Sequence, residues 1–205
     1  MFIEPLIKSS NKGWVEVVCG CMFSGKTEEL IRRLKRARIA NQKVEIFKPV
    51  TDTRYHVTDI VSHDENHITS TPVNNSQQIL LLASDMDVVG IDEAQFFDNE
   101  LPFVCQSLAN RGIRVILAGL DMDYLGKPFG PIPQLLAMAE YITKVHAICM
   151  VCGNIASYSY RKSNDQQTVL LGEKDLYEPR CRPCYEKGML EQKGNEQKKV
   201  HNHSD

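Results

Sequence analysis

Three groups of residues have the types and spacing to do chemistry. Gly20-Cys21-Met22-Phe23-Ser24-Gly25-Lys26-Thr27 matches G-x-x-x-x-G-K-S/T at every required position. Glycines at that spacing let the backbone turn tightly and point its N–H groups inward at phosphate oxygens. A helix starting near Lys26 aims the positive end of its dipole at the same anion. The Lys26 ammonium then reaches the β- and γ-phosphates, and the Thr27 hydroxyl ligates Mg²⁺. The bland alternative is a glycine turn capping a helix beside an incidental lysine. An apolar strand just before and a helical pattern just after argue against it.

The second group is Val88-Val89-Gly90-Ile91-Asp92-Glu93, an apolar run ending in two acids. Acids after a strand often only cap the next helix. Paired with a phosphate loop they read differently. Asp92 is suited to hold Mg²⁺ through water, and Glu93 is a candidate general base or orienter of a nucleophile. That reading expects the Asp92 strand to lie next to the strand that feeds the loop. The third group is Cys149-x-x-Cys152 with Cys181-x-x-Cys184. Two residues between cysteines let both thiolates face one ion, and four thiolates complete a tetrahedral, closed, structural zinc site. A redox pair or plain buried cysteine would account for a single C-x-x-C; two such pairs favour zinc. Such an ion pins both ends of the 153–180 loop. Cys19, Cys21 and Cys105 lack matching partners and read as core or incidental thiols.

An alternation of short apolar strands and helices must position these groups. Strands are expected over Trp14–Cys19, Lys43–Lys48, Asp87–Asp92 and Arg114–Gly119. Helices are expected from Lys26 to about Ala40, around Gln77–Ala83, over Leu101–Asn110, and from Pro131 through Glu140. This order implies an α/β fold, a mostly parallel sheet with helices on both faces. The polar stretch Thr51–Asn75 has room for a hairpin. Four units follow: a flexible terminus at 1–13, a P-loop α/β domain at 14–143, a small zinc-ribbon-like subdomain with a long loop at 144–191, and a polar, disordered tail at 192–205.

Composition narrows the function classes. A formal net charge of -2 gives no general attraction to nucleic acid or anionic membrane. The basic run Arg32–Arg38 reads as a solvated helix face. No stretch approaches the roughly 20 apolar residues of a membrane span. The first 13 residues lack a secretory pattern, so the seven cysteines read as reduced thiols or metal ligands in a cytoplasmic protein.

Four segments in order carry a resemblance: Met22–Thr27, Ile91-Asp92-Glu93-Ala94-Gln95-Phe96-Phe97, Gly119-Leu120-Asp121 with Lys127-Pro128-Phe129-Gly130, and Tyr177-x-x-x-Cys181-Arg182-x-Cys184-Tyr185. From about Trp14 to Leu190 the chain resembles the cellular, zinc-containing type of thymidine kinase. The resemblance implies phosphoryl transfer from ATP to the 5′-hydroxyl of thymidine, with deoxyuridine as a second substrate and thymidine triphosphate as inhibitor. It gives Glu93 the proton from the 5′-hydroxyl and puts Arg54 near the phosphates, with Arg161 as a rival on the acceptor side. Ala94 and Gln95 join Asp92 and Glu93 on the ATP side. Met22, Phe96, Leu120, Tyr124 and Phe129 are placed around the thymine ring. The loop between the cysteine pairs becomes a lasso whose backbone, near Thr168 and Gly172, bonds the base, with Ser159 and Tyr177 lining the pocket. A homotetramer is implied as well. Cys21 stands where many relatives have proline, serine or another small residue, and Thr27 replaces a serine with its hydroxyl kept.

A nucleic-acid-dependent ATPase would also join a P-loop to zinc, but Glu173, Asp175 and Glu178 interrupt the basic residues near the cysteines. A GTP switch lacks its N-K-x-D segment after the Asp92 strand. Binding without catalysis is disfavoured because Lys26, Thr27, Asp92 and Glu93 are all present.

Overall fold

The computed structural model describes residues 13–50, 59–61, 67–162 and 176–201. Val15–Cys19 form β1, and Lys26–Ile39 form α1, with Glu28 and Glu29 in its first turn and Arg36 and Arg38 in its last. That charge order complements the helix dipole. Val44–Pro49 form β2, and Asp59–Val61 (β3) pairs antiparallel with His67–Thr69 (β4), a hairpin where the sequence left room for one. Thr71–Val73 form β5, Gln77–Leu82 form α2, and Val88–Ile91 form β6. Leu101–Asn110 (α3), Arg114–Gly119 (β7), Ile132–Met138 (α4) and Tyr141–Lys144 (β8) complete the main layer.

Six strands form one sheet in the order β5-β2-β6-β7-β1-β8, and every neighbouring pair is parallel. The side-chain period of two divides the central strands between two cores. Ile46, Val88, Ile116 and Ala118 pack under Leu30, Ile31, Leu34 and Ala37 of α1. On the other face Val15, Val17, Val89, Ile91, Val115 and Leu117 pack against α2, α3 and α4 through Ile79, Leu101, Val104, Leu108, Ile132 and Leu135. Helices therefore cover both faces, as the near-continuous apolar strands require.

One sequence expectation fails here. The strand ending at Asp92 is not next to the P-loop strand, because β7 lies between β6 and β1. The connection still works because α1 packs on Ile116 and Ala118 of β7 and Val88 of β6, carrying its first turn toward the end of β6. β8 and β5, absent from the sequence reading, are the two edge strands.

The rest of the described chain is a separate small assembly. Ala147–Ile148 (β9) pairs with Ile155–Ala156 (β10), and Tyr158–Arg161 (β11) pairs with Tyr177–Arg180 (β12). Arg182–His201 form α5. Tyr185 of α5 stacks on Tyr158 with ring centroids 4.4 Å apart. Its backbone runs ten residues beyond 191, where the sequence was expected to lose order. Glu, Gln and Lys are good helix formers, and Gln192 anchors the extension by donating to the Arg161 carbonyl at 2.8 Å. No helix among the described residues is long and apolar enough to cross a membrane.

Candidate functional site

The parallel register brings the ends of β1, β7 and β6 to one edge, with Cys19 opposite Gly119 and Ile91 opposite Leu117. In such a sheet ligands bind at the carboxyl ends of the strands. The P-loop leaves β1 there. Gly20 has φ 149°, and a Cβ on it would lie 2.2 Å from the Val145 carbonyl, so only glycine fits. Phe23 and Gly25 also take positive φ, curling the loop before α1. Lys26 Nζ donates to the Cys21 carbonyl at 2.8 Å, so the ammonium lies over the loop it serves. Thr27 Oγ1 donates to Asp92 Oδ2 at 3.3 Å, and Asp92 Oδ1 accepts the Glu93 N–H at 2.9 Å. Thr27, Asp92 and Glu93 thus form one bonded series, which puts Lys26 and Glu93 on the same side of the sheet. A hydroxyl beside a carboxylate is a fitting donor set for Mg²⁺.

Glu93 has φ 51° and ψ 41°, a left-handed conformation that costs a non-glycine residue on the order of 1–2 kcal/mol. It begins a 3₁₀ turn over Ala94–Phe96. Ala94 and Gln95 are buried, while Glu93 and Phe96 stay half-buried. Phe96 meets Phe129 edge to face, with centroids 5.6 Å apart. Met22, Leu120 and Tyr124 are likewise half-buried, so the apolar residues assigned to a base are not sealed into the core.

Arg161 is more central than the sequence indicated. It is 2% exposed, its guanidinium stands 3.5 Å from the Tyr124 ring centroid, and its Nε and Nη2 donate to the Tyr177 hydroxyl at 3.0 and 2.6 Å. Two tyrosines assigned to the pocket, 53 positions apart in sequence, are therefore joined through one cation. Ser159 Oγ accepts the Met22 N–H at 3.0 Å, tying β11 to the P-loop. Arg54, Thr168 and Gly172 lie outside the described residues.

The four cysteine sulfurs lie within 4.8 Å of one another, with Cys152 and Cys181 at 3.5 Å. Zinc with Zn–S bonds of about 2.3 Å has sulfur–sulfur edges of roughly 3.8 Å, so the residues fit that metal. Burial opposes ionisation of Cys149, but backbone N–H groups of Cys181, Cys152 and Val151 outweigh it and bring the thiol down to about 6. Cys21 packs in the same cluster as Cys149 and Cys181, and its thiol donates to the Ala156 carbonyl at 3.4 Å. It is thus an interface residue between P-loop and cysteine module. Burial pushes both the Cys21 thiol and Cys19, at about 11, up and away from reactivity.

The sequence reading missed a buried charge cluster. Glu16, fully buried in β1, accepts from Trp14 Nε1 at 2.7 Å, Arg114 Nε at 2.6 Å and Arg33 Nη1 at 2.7 Å. Arg33 also donates to Glu29 at 2.8 Å and to Thr143 of β8 at 2.9 Å. Within the basic run, Arg32, Lys35, Arg36 and Arg38 are exposed as expected, but Arg33 is not. The available signal was the acid inside the apolar strand Val-Glu-Val-Val-Cys.

The thymidine kinase family model matches residues 13–185. A thymidine kinase of Rhodothermus sp. (strain ITI 518) is 61% identical over 91% of this chain and 88% of its own. One from Bacteroides fragilis (strain YCH46) is 58% identical over 93% and 96%, and one from Porphyromonas gingivalis (strain ATCC BAA-308 / W83) 62% over 87% and 88%.

Proposed function

The chain belongs to the thymidine kinase family, and from that premise we propose that it transfers the γ-phosphoryl group of ATP to the 5′-hydroxyl of thymidine, and of deoxyuridine as a second substrate. The observation that carries this reading is the bonded series Thr27, Asp92, Glu93 beside Lys26, which gathers a phosphate cradle and a proton acceptor at one sheet edge.

In this reading the inward N–H groups of Gly20–Thr27 and the Lys26 ammonium hold the β- and γ-phosphates. Thr27 and Asp92 would hold Mg²⁺, which when bound would neutralise charge on the phosphates. Glu93 takes the proton of the 5′-hydroxyl as that oxygen attacks in line. The bond from the γ-phosphorus to the bridging oxygen breaks, and ADP leaves. Ala94 and Gln95 belong to the same edge. Arg54 offsets charge on the transferring group. Thymine lies among Met22, Phe96, Leu120, Tyr124 and Phe129, with Ser159 and Tyr177 beside it and the backbone near Thr168 and Gly172 bonding its polar edge. The flat base suits apolar and aromatic walls. Cys149, Cys152, Cys181 and Cys184 would hold structural Zn²⁺, which fixes the stem of the lasso. Thymidine triphosphate inhibits by filling base pocket and P-loop together. We place the enzyme in the cytoplasm as a homotetramer, with no nucleic-acid or membrane partner.

The test is incubation with labelled ATP, Mg²⁺ and a panel of nucleosides. Thymidine and deoxyuridine are expected to become 5′-monophosphates. Label on none of them, or on purine nucleosides alone, overturns the reading.

A further inference from the structure

We propose that Gln95 is the positioning residue for the Glu93 carboxylate, fixing it against the end of β7 through its side-chain amide. The inference rests on the reading of Glu93 as proton acceptor. Gln95 is 2% exposed, and both ends of its amide are used. Its Oε1 accepts the Leu120 N–H at 2.9 Å, and its Nε2 donates to Glu93 Oε2. The orientation of the amide is forced, since a backbone N–H can only donate. Oxygen must face Leu120, and the NH₂ group must therefore face the carboxylate.

The neighbouring backbone makes room for this side chain. A Cβ on Gly119 would lie 3.0 Å from Gln95 Oε1 and 2.7 Å from Ile132 Cδ1. A Cβ on Gly130, which has φ 50°, would lie 2.2 Å from the Gln95 carbonyl. Two separate segments thus stay free of side chains where Gln95 sits. Glu93 itself departs from the end of β6 in a left-handed conformation, which persists in a non-glycine residue only where surrounding contacts restrain it. The amide supplies that restraint. It also links the carboxylate to Leu120, one of the residues assigned to the base, so the acceptor oxygen and the pocket wall share one hydrogen-bonded support.

Positioning of this kind belongs in kcat, because a misaligned base slows proton removal without weakening ground-state binding. Gln95→Met keeps length and volume but loses both hydrogen bonds. It is expected to lower kcat by about tenfold or more while the thymidine KM stays within about twofold. Gln95→Asn, too short to span Leu120 and Glu93, is expected to show the same split and serves if the methionine variant folds poorly. The decisive comparison is made in the Glu93→Gln background, where Gln95→Met is expected to change kcat by less than about twofold, since nothing remains to position. A full additional loss in that background, or an unchanged kcat in the Gln95→Met single variant, overturns the inference while leaving Glu93 as base. Near-normal turnover of Glu93→Gln alone removes the proton acceptor, and the inference falls with it.

Discussion

At the residue scale, chemistry rests on side chains a few ångströms apart that come from distant positions. Thr27 and Asp92 are 65 positions apart and share a hydrogen bond, and Glu93 follows directly in chain and in bonding. Replacing the Glu93 carboxylate by an amide keeps its size and removes its basicity. Glu93→Gln is therefore expected to bind ATP normally and to lose about 10²-fold or more in kcat, the usual scale of base catalysis. Single-turnover kinetics with nucleotide binding measured in parallel checks this, and near-normal turnover would take Glu93 out of the mechanism. The phosphate loop and the four-cysteine set were legible because their ligands are local in sequence and their spacing is dictated by the ion they hold. Arg161 was legible only as one of two candidate arginines. Its bonding to Tyr177 depends on the pairing of β11 with β12, and its stacking on Tyr124 on how that pair meets the turn after β7; no spacing rule encodes either.

Elements transmit those positions to the sheet. The central strands could be read because fully buried parallel strands are short apolar runs, and β7 matches its expected span of Arg114–Gly119 residue for residue. The strand order could not be read, since nothing local to β6 or β1 tells that β7 enters between them. β8 was missed for a related reason. Its Tyr-Ile-Thr-Lys sequence is half exposed at a sheet edge and follows a helix without a glycine to mark the turn. The same gap in local information hid the Glu16 cluster, which ties β1 to α1, β7 and β8. Truncating Glu16 leaves two guanidinium groups facing a cavity, with Arg33 fully buried. Glu16→Ala is thus expected to cost about 3–5 kcal/mol of stability, against a much smaller cost for an exposed pair such as Arg182–Glu186. Urea unfolding of Glu16→Ala beside Glu186→Ala measures the contrast. Equal midpoints would mean that the cluster does not hold the P-loop helix to the sheet.

Across the whole molecule, the P-loop is held between two bodies, the sheet beneath it and the cysteine module against its outer side. From the sheet side comes Asp92, which accepts from the Thr27 hydroxyl. From the module come Ser159, which accepts the Met22 N–H, and the Ala156 carbonyl against Cys21. A ligand with both a thymine and a triphosphate would bridge the two bodies. Thymidine triphosphate is accordingly expected to compete with ATP and with thymidine alike, and steady-state inhibition showing competition with neither would reject a shared cleft. Loss of the metal should divide the two substrates instead. Residues assigned to the nucleoside sit on the β11–β12 pair, where Tyr158 opposes Arg180 and the next residue is Cys181. The Met150 N–H, within the first cysteine pair, donates to Pro179 of the same strand at 3.0 Å. The thiols therefore close the stem that carries Ser159 and Tyr177, whereas the residues assigned to the phosphates sit at the ends of β1 and β6 and the start of α1. Cys181→Ser is expected to lose bound zinc and to raise the KM for thymidine several-fold more than that for ATP. Metal content by mass spectrometry and two KM determinations decide it. Unchanged zinc would remove Cys181 from the ligand set, and an equal rise in both constants would mean that the module supports the P-loop itself rather than the nucleoside side.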